Sequence, residues 1–239
     1  MKKDKKIKIY LGLSYLLIVI LFLWFIFSKF TLDELASYEF IKRYTDYLIS
    51  AKESSFFIIS FIFVIATIIW VLLLGFGSPI FLLGGFIFGK WIGTILVVLG
   101  LSIGSTLLYI LASYFFSDLI KEKFLKKYII YKEKFEQNEF LFFLIYRFIG
   151  GIPFGLSNIL PTLFNVKIKN FFFGSLIGMT PQLFIGTSIG AGIEKIIESN
   201  EDLPNFLTFL TYKDIYIPII GFITLVILSY FLKKKYYKN

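Results

Sequence analysis

Apolar residues run along this chain in long blocks, and short charged segments separate them. The first block, Ile7 to Phe27, is long enough to cross a hydrocarbon core of roughly 30 Å as a helix. It follows Met1-Lys2-Lys3-Asp4-Lys5-Lys6, which resembles the basic start of a signal peptide. The block is too long for an ordinary signal sequence and no small-x-small site follows, so it is read as an uncleaved span. Further apolar blocks occupy 56–74, 79–88, 91–116, 140–164, 168–189 and 215–232. Two segments change period instead. After the capping box Thr31-Leu32-Asp33-Glu34, the residues Leu35, Tyr38, Ile41 and Leu48 recur at helical spacing. In 117–139 the stripe Ile120, Phe124, Tyr128, Tyr131 and Phe135 does the same among charges. Both read as amphipathic surface helices. Residues 191–214 read as a polar loop containing Pro204, and Lys233-Lys234-Lys235 closes the last span.

Two of the apolar blocks are interrupted in the same way. The first interruption is Gly75-Phe76-Gly77-Ser78-Pro79, and the second is Gly150-Gly151-Ile152-Pro153. A helix that breaks in hydrocarbon frees N–H and C=O groups that lipid cannot satisfy, so protein or water must. Gly77 and Pro79, and Gly150, Gly151 and Pro153, are therefore read as the turns of two hairpins. The alternative at each proline is a kink in a continuous helix. Each hairpin precedes a long block with a small-xxx-small pair, Gly100/Gly104 and Gly174/Gly178. Such pairs suit close helix packing, within one chain or between copies in a homo-oligomer. Paired interruptions at matching points of two halves point to an inverted repeat with a polar site near the midplane. The predicted fold class is an all-α, polytopic membrane bundle with two opposed re-entrant hairpins. It divides into an N-terminal span and surface helix (1–55), a hairpin core (56–191), and a loop with a C-terminal span (192–239).

Composition narrows the chemistry. Hydrophobic residues make up 57% of the chain, with 31 Phe among 239 residues. Mean hydropathy is +0.80. A soluble domain of this size has no use for so much apolar surface. The chain has no Cys and no His. No metal site, cofactor site or nucleophile–base pair is expected from it, and an enzyme is not the expected class. The net charge of +9 sits at block ends rather than on one concentrated face. That suits anionic lipid headgroups and argues against a nucleic-acid partner. With both hairpins returning to their own side, the five N-terminal Lys, six in 117–139, Lys167, Lys169 and four at the C-terminus fall on one face. That is 17 basic residues against seven, Arg147 apart. The positive-inside rule then places both termini in the cytoplasm.

The residues also carry a family resemblance. Gly77-Ser78-Pro79 through Gly89-Lys90-Trp91-Ile92-Gly93, then Leu99-Gly100 through Ser105-Thr106, form one half. Tyr146-Arg147-Phe148 to Pro153-Phe154 and Asn158, then Phe173-Gly174 to Pro181, form the other. From about Phe56 to Ala191 the chain resembles the DedA superfamily, in its SNARE-associated Golgi protein branch (the VTT domain). The resemblance implies two re-entrant hairpins facing each other from opposite leaflets of a bacterial plasma membrane. It also implies lipid handling, either phospholipid scrambling or recycling of a polyprenyl-phosphate carrier. Where lipid-carrier relatives place an acid after the first turn, this chain has Pro79-Ile80-Phe81-Leu82, and where they place an Asp on the next span it has Ser105.

Arg147 is the sharpest candidate. No Asp or Glu occurs from Ser54 to Phe116 or from Phe140 to Gly192. A cation at depth costs several kcal/mol unless it is paired or hydrated, and a phosphate is a natural bidentate partner for Arg. Its structural alternatives are snorkelling to the surface or capping the broken carbonyls near Gly150. Asn158 would line the polar seam or satisfy its own hairpin. Gln182, after Pro181, would do one or the other for its own helix. Ser105 and Thr106 would face the seam or bond back to the preceding turn. The expected function is translocation or scrambling of phospholipid or a lipid-phosphate carrier. A small-solute or ion transporter and a non-transporting membrane scaffold are the alternatives.

Overall fold

The computed structural model describes residues 2–29, 47, 50, 52–198 and 211–237. Among them the regular structure is helical throughout. Helix α1 spans Lys2–Lys29, α2 Phe56–Leu72, α3 Gly77–Gln137 and α4 Glu139–Ile149. A short α5 (Phe154–Ile159) runs into a 3₁₀ turn (Leu160–Phe164), and α6 (Ile168–Glu198) and α7 (Lys213–Tyr237) follow. Among the described residues two apolar stretches are long enough to cross a membrane, Gly77–Phe115 in α3, which folds back at Gly89, and Ile168–Lys195 in α6. The apolar parts of α1 and α7, Tyr10–Phe22 and Ile215–Leu228, are shorter.

Helix α3 is two arms. Gly89 takes φ 72, ψ 174, a region open essentially to glycine alone. There the chain folds back. A Cβ on Gly93 would lie 2.3 Å from the Gly84 carbonyl oxygen, so the two arms touch backbone to backbone. The arms are called α3a (77–88) and α3b (90–137). Helix α2 runs against α3a, with Phe63 and Phe56 edge-on to Phe88. It also lies along α3b. Thr67 covers Gly100 and Val71 covers Gly104. Residues four apart on α2 meet glycines four apart on α3b, in the same order, so those two helices are parallel.

The second unit repeats this arrangement. Phe143 of α4 covers Gly174 of α6, and Arg147 covers Gly178. Helix α4 is therefore parallel to α6. The return arm α5–3₁₀ ends at Asn165 in the left-handed conformation (φ 51), where the first unit has Gly89. The Glu139 carboxylate closes the base of this hairpin by accepting from the Lys167 N–H at 2.6 Å and Asn170 Nδ2 at 2.9 Å. The long helices of the two units are antiparallel. The Thr94 and Thr187 hydroxyls meet at 2.6 Å at one end, and the Tyr109 hydroxyl donates to the Val166 carbonyl at 2.7 Å at the other. Tyr109 also stacks on Phe171 at 4.4 Å.

The glycine pairs 100/104 and 174/178 thus pack helices within the chain. The main core (Val71, Val97, Leu101, Leu108, Met179, Leu183) lies between the two units. The outward faces of α1, α2 and α7 are apolar and exposed, among them Trp24, Phe57, Ile62, Ile223 and Phe231. An apolar exterior around a core holding Arg147 and Asn158 is the pattern of a protein solvated by lipid.

Three expectations are corrected. The first break precedes Gly77 and Pro79. The chain leaves α2 at Leu73, Leu74 takes φ 60, and Gly77 and Pro79 already form the first turn of α3. Proline is at home there because that turn has no use for its missing N–H. Residues 117–137 continue α3b without a break rather than forming a separate surface helix. The long helix α6 runs on through 191–198, where the polar composition suggests a loop. The expected surface helix at 31–48 and the loop around Pro204 lie almost wholly outside the described residues.

Candidate functional site

Arg147 lies in the last turn of α4, one turn before the break. It is 4% exposed. It neither snorkels nor caps the broken carbonyls. Nε donates to Ser175 Oγ at 2.9 Å, one Nη to Ser157 Oγ at 2.9 Å, and the other to Asn158 Oδ1 at 2.7 Å. The Phe143 and Phe171 rings lie 5.2 and 4.8 Å from the guanidinium carbon. The fold brings these partners from two other elements: Ser175 on α6 beside the Gly174/Gly178 pair, and Ser157 and Asn158 on the return arm. All are neutral, and no carboxylate pairs with Arg147 among the described residues. Three of its five N–H groups are used, and among the described residues the cation has no counter-ion.

The broken backbone is satisfied by side chains. Gln182 Nε2 donates to the carbonyls of Arg147, at 3.3 Å, and of Phe148. It serves the break at the end of α4, not the backbone of its own helix around Pro181. The Tyr146 hydroxyl donates to the Ser157 carbonyl at 3.1 Å. In the first unit Trp70 Nε1 donates to the Phe76 carbonyl at 2.8 Å, and the Tyr15 hydroxyl of α1 to the Leu72 carbonyl. Trp70 and Tyr146 precede Val71 and Arg147, the residues that cover Gly104 and Gly178. The two units therefore use the same device, and only one of them carries a charge at the tip. Gln182→Leu should strand the Arg147 and Phe148 carbonyls. The expected cost is about 1–3 kcal/mol, read as faster amide exchange in the last turn of α4 relative to α2.

A cavity of about 470 Å³ lies between the tips. Phe76, Gly77 and Ser78 line it from the first unit, and Tyr146, Arg147, Gly150, Gly151 and Gln182 from the second. The tips meet at its edge, where Gly77 faces the Phe154 ring at about 4 Å from a built Cβ. Helix α3 begins at this cavity with no side-chain cap on its N-terminus. Its first N–H groups and the positive end of its dipole add to the guanidinium. The chamber is mostly apolar, and Arg147 and the first residues of α3 are part of its lining. Such a site suits an anion carried on an apolar body.

The remaining candidates fall as follows. Gly150 (φ 63) and Gly151 (φ 77) form the second turn, and Pro153 is the N-cap of α5. Asn158 is fully buried, and its Nδ2 has no partner among the described residues. Thr106 bonds back to the Ser102 carbonyl at 2.7 Å. Ser105 is fully buried with its hydroxyl unpartnered among the described residues, and neither it nor Thr106 lines the chamber. Sequence reasoning alone misses Ser157 and Ser175. The signal that could find them is Ser175 next to Gly174, on the helix face that Arg147 must cover.

A family model described as the VTT domain matches residues 75–192. The chain is 35% identical over 111 residues to YqeD, an uncharacterised protein of Bacillus subtilis, covering 46% of this chain and 53% of that one. It is 27% identical over 177 residues to the Transmembrane protein 41 homolog of Dictyostelium discoideum, covering 70% of this chain and 52% of that one. The matches thus span about half the length of these curated relatives. No solved structure matches the chain.

Proposed function

Because this chain belongs to the VTT-domain family of membrane proteins, with its domain over residues 75–192, we propose that it translocates a phosphate-bearing lipid across the bilayer. The lipid is a phospholipid or a lipid-phosphate carrier, and the membrane is the bacterial plasma membrane with both termini cytoplasmic. The two units act as an inverted repeat, and their hairpins (α2–α3a and α4–α5) dip into the bilayer from opposite leaflets. The observation that carries this reading is the buried guanidinium of Arg147, which has no counter-ion among the described residues, on a residue that lines a chamber between the two tips. A headgroup phosphate would complete its two remaining N–H groups while the lipid tails stay outside in hydrocarbon. The chain then works without catalysis, as a shaped path that lowers the barrier for a charged headgroup.

Topology and transport are tested separately. The chain has no Cys, so single cysteines can be placed in the natural sequence. Lys52→Cys and Lys90→Cys should react with an impermeant maleimide from outside, and Lys126→Cys only after lysis. For transport, purified protein in vesicles should speed loss of a fluorescent phospholipid signal to an external quencher beyond the half reached without protein. No acceleration by folded protein would end the lipid reading. The neutral partners of Arg147 favour a second reading, in which it only ties the two hairpin arms together. The response of an Arg147 variant separates the two.

A further inference from the structure

A second cavity, of about 410 Å³, opens at the other end of α6 from the base of its own hairpin. Three parts of the chain meet there. The reversal contributes Gly89 and Lys90, the C-terminal part of α6 contributes Glu194 and Lys195, and the start of α7 contributes Lys213. The floor is apolar, with Phe184, Ile185 and Ile217. Three ammonium groups at a rim above an apolar floor match an amphiphile with an anionic head.

The rim is set up for this. Its described carboxylate, Glu194, is engaged by Lys52 at 3.8 Å. Lys90 and Lys213 are exposed and have no ion-pair partner among the described residues. Lys90 is held in place by its backbone, because its carbonyl accepts from the Thr94 hydroxyl and from the Thr187 hydroxyl at 3.4 Å. Gly89 leaves open space beside it, since a built Cβ would meet nothing within 4 Å. On the far wall a Cβ on Gly221 would sit 3.6 Å from Ile185, and Ile185 also lines the Arg147 chamber. The mouth and the chamber therefore share a wall along the α6–α7 groove.

We propose that this mouth is a second anion site, binding a phosphate group between Lys90, Lys195 and Lys213 with apolar carbons of its carrier on Ile185 and Ile217. The source of the phosphate is a lipid headgroup or free phosphate. The inference needs the membrane placement of the chain and does not need the Arg147 chamber to move lipid.

Lysine footprinting of the whole protein in phosphatidylcholine nanodiscs tests it. Lys90 and Lys213 are acetylated with and without dioctanoyl phosphatidic acid, dioctanoylglycerol or inorganic phosphate, and read by mass spectrometry. Phosphatidic acid should slow acetylation of both lysines about fivefold or more at several times its dissociation constant, and dioctanoylglycerol should not. Protection by phosphatidic acid but not by equal inorganic phosphate assigns the site to a headgroup. Equal protection by inorganic phosphate supports the anion site and assigns it to the free ion. Lys90→Gln should remove the protection at Lys213. No protection by either phosphate compound overturns the proposal, and so does equal slowing at the N-terminal lysines, which would report only membrane charge. The chamber lining contains no lysine, so a failure of lipid translocation leaves this readout unaffected.

Discussion

In vesicles, Arg147→Met should slow phospholipid equilibration about tenfold or more while changing the stability of the protein by only about 2 kcal/mol. The rate effect follows from the loss of a charge-assisted contact to phosphate. Such bonds are worth about 1.5–3 kcal/mol each, and each 1.4 kcal/mol is a factor of about ten. The stability effect is small because opposing terms nearly cancel. Removing the cation relieves a desolvation cost of several kcal/mol. Against that, three hydrogen bonds and the contacts with Phe143 and Phe171 are lost. Ser157 keeps a partner, since its hydroxyl already donates to the Phe154 carbonyl at 2.7 Å. Asn158 and Ser175 are left as the orphans, at about 1–3 kcal/mol each. The check is a paired measurement of lipid equilibration and thermal denaturation on the same preparation. A variant that melts far lower yet moves lipid at the native rate per folded molecule would make Arg147 a tie and nothing more.

Gly85→Ala should destabilise the fold by about 3 kcal/mol, or roughly 10 °C in melting temperature, although it adds only one methyl group. A Cβ on Gly85 would lie 1.9 Å from the Thr187 carbonyl oxygen and 2.6 Å from its carbon. Those are backbone atoms, which cannot rotate aside as the end of a side chain can. The same interface holds Gly190, whose Cβ would lie 2.1 Å from the Leu82 carbonyl oxygen. Helices α3a and α6 would have to separate along their whole contact. Gly155→Ala is the control. It meets nothing within 4 Å and its φ is ordinary, so a change within about 0.5 kcal/mol is expected. Equal melting of the two variants would show that α3a and α6 are not packed this closely.

Much of the architecture is legible along the chain because its causes are local. Long apolar blocks, basic ends and paired Gly/Pro interruptions each act through a few neighbouring residues. They mark the two breaks to within a turn. The first is displaced because Pro79 is as comfortable inside the first turn of a helix as before it. The helical character of 191–198 is less legible, since polar residues at the end of a membrane helix look like a loop in composition alone.

Read along its length, the chain is a helical membrane protein with two matched broken segments, and Arg147 has no acid near it in sequence. Which groups answer that charge is a matter of packing. Ser175 lies 28 positions from Arg147 and Asn158 lies 11, on separate elements that meet only in the folded chain. The same holds for Gln182 reaching the carbonyls of α4, and for the lysines that gather from α3, α6 and α7 around one mouth. Periodicity and punctuation are read one segment at a time. A buried polar network is set by where glycines let backbones meet, and that contact is made across the chain.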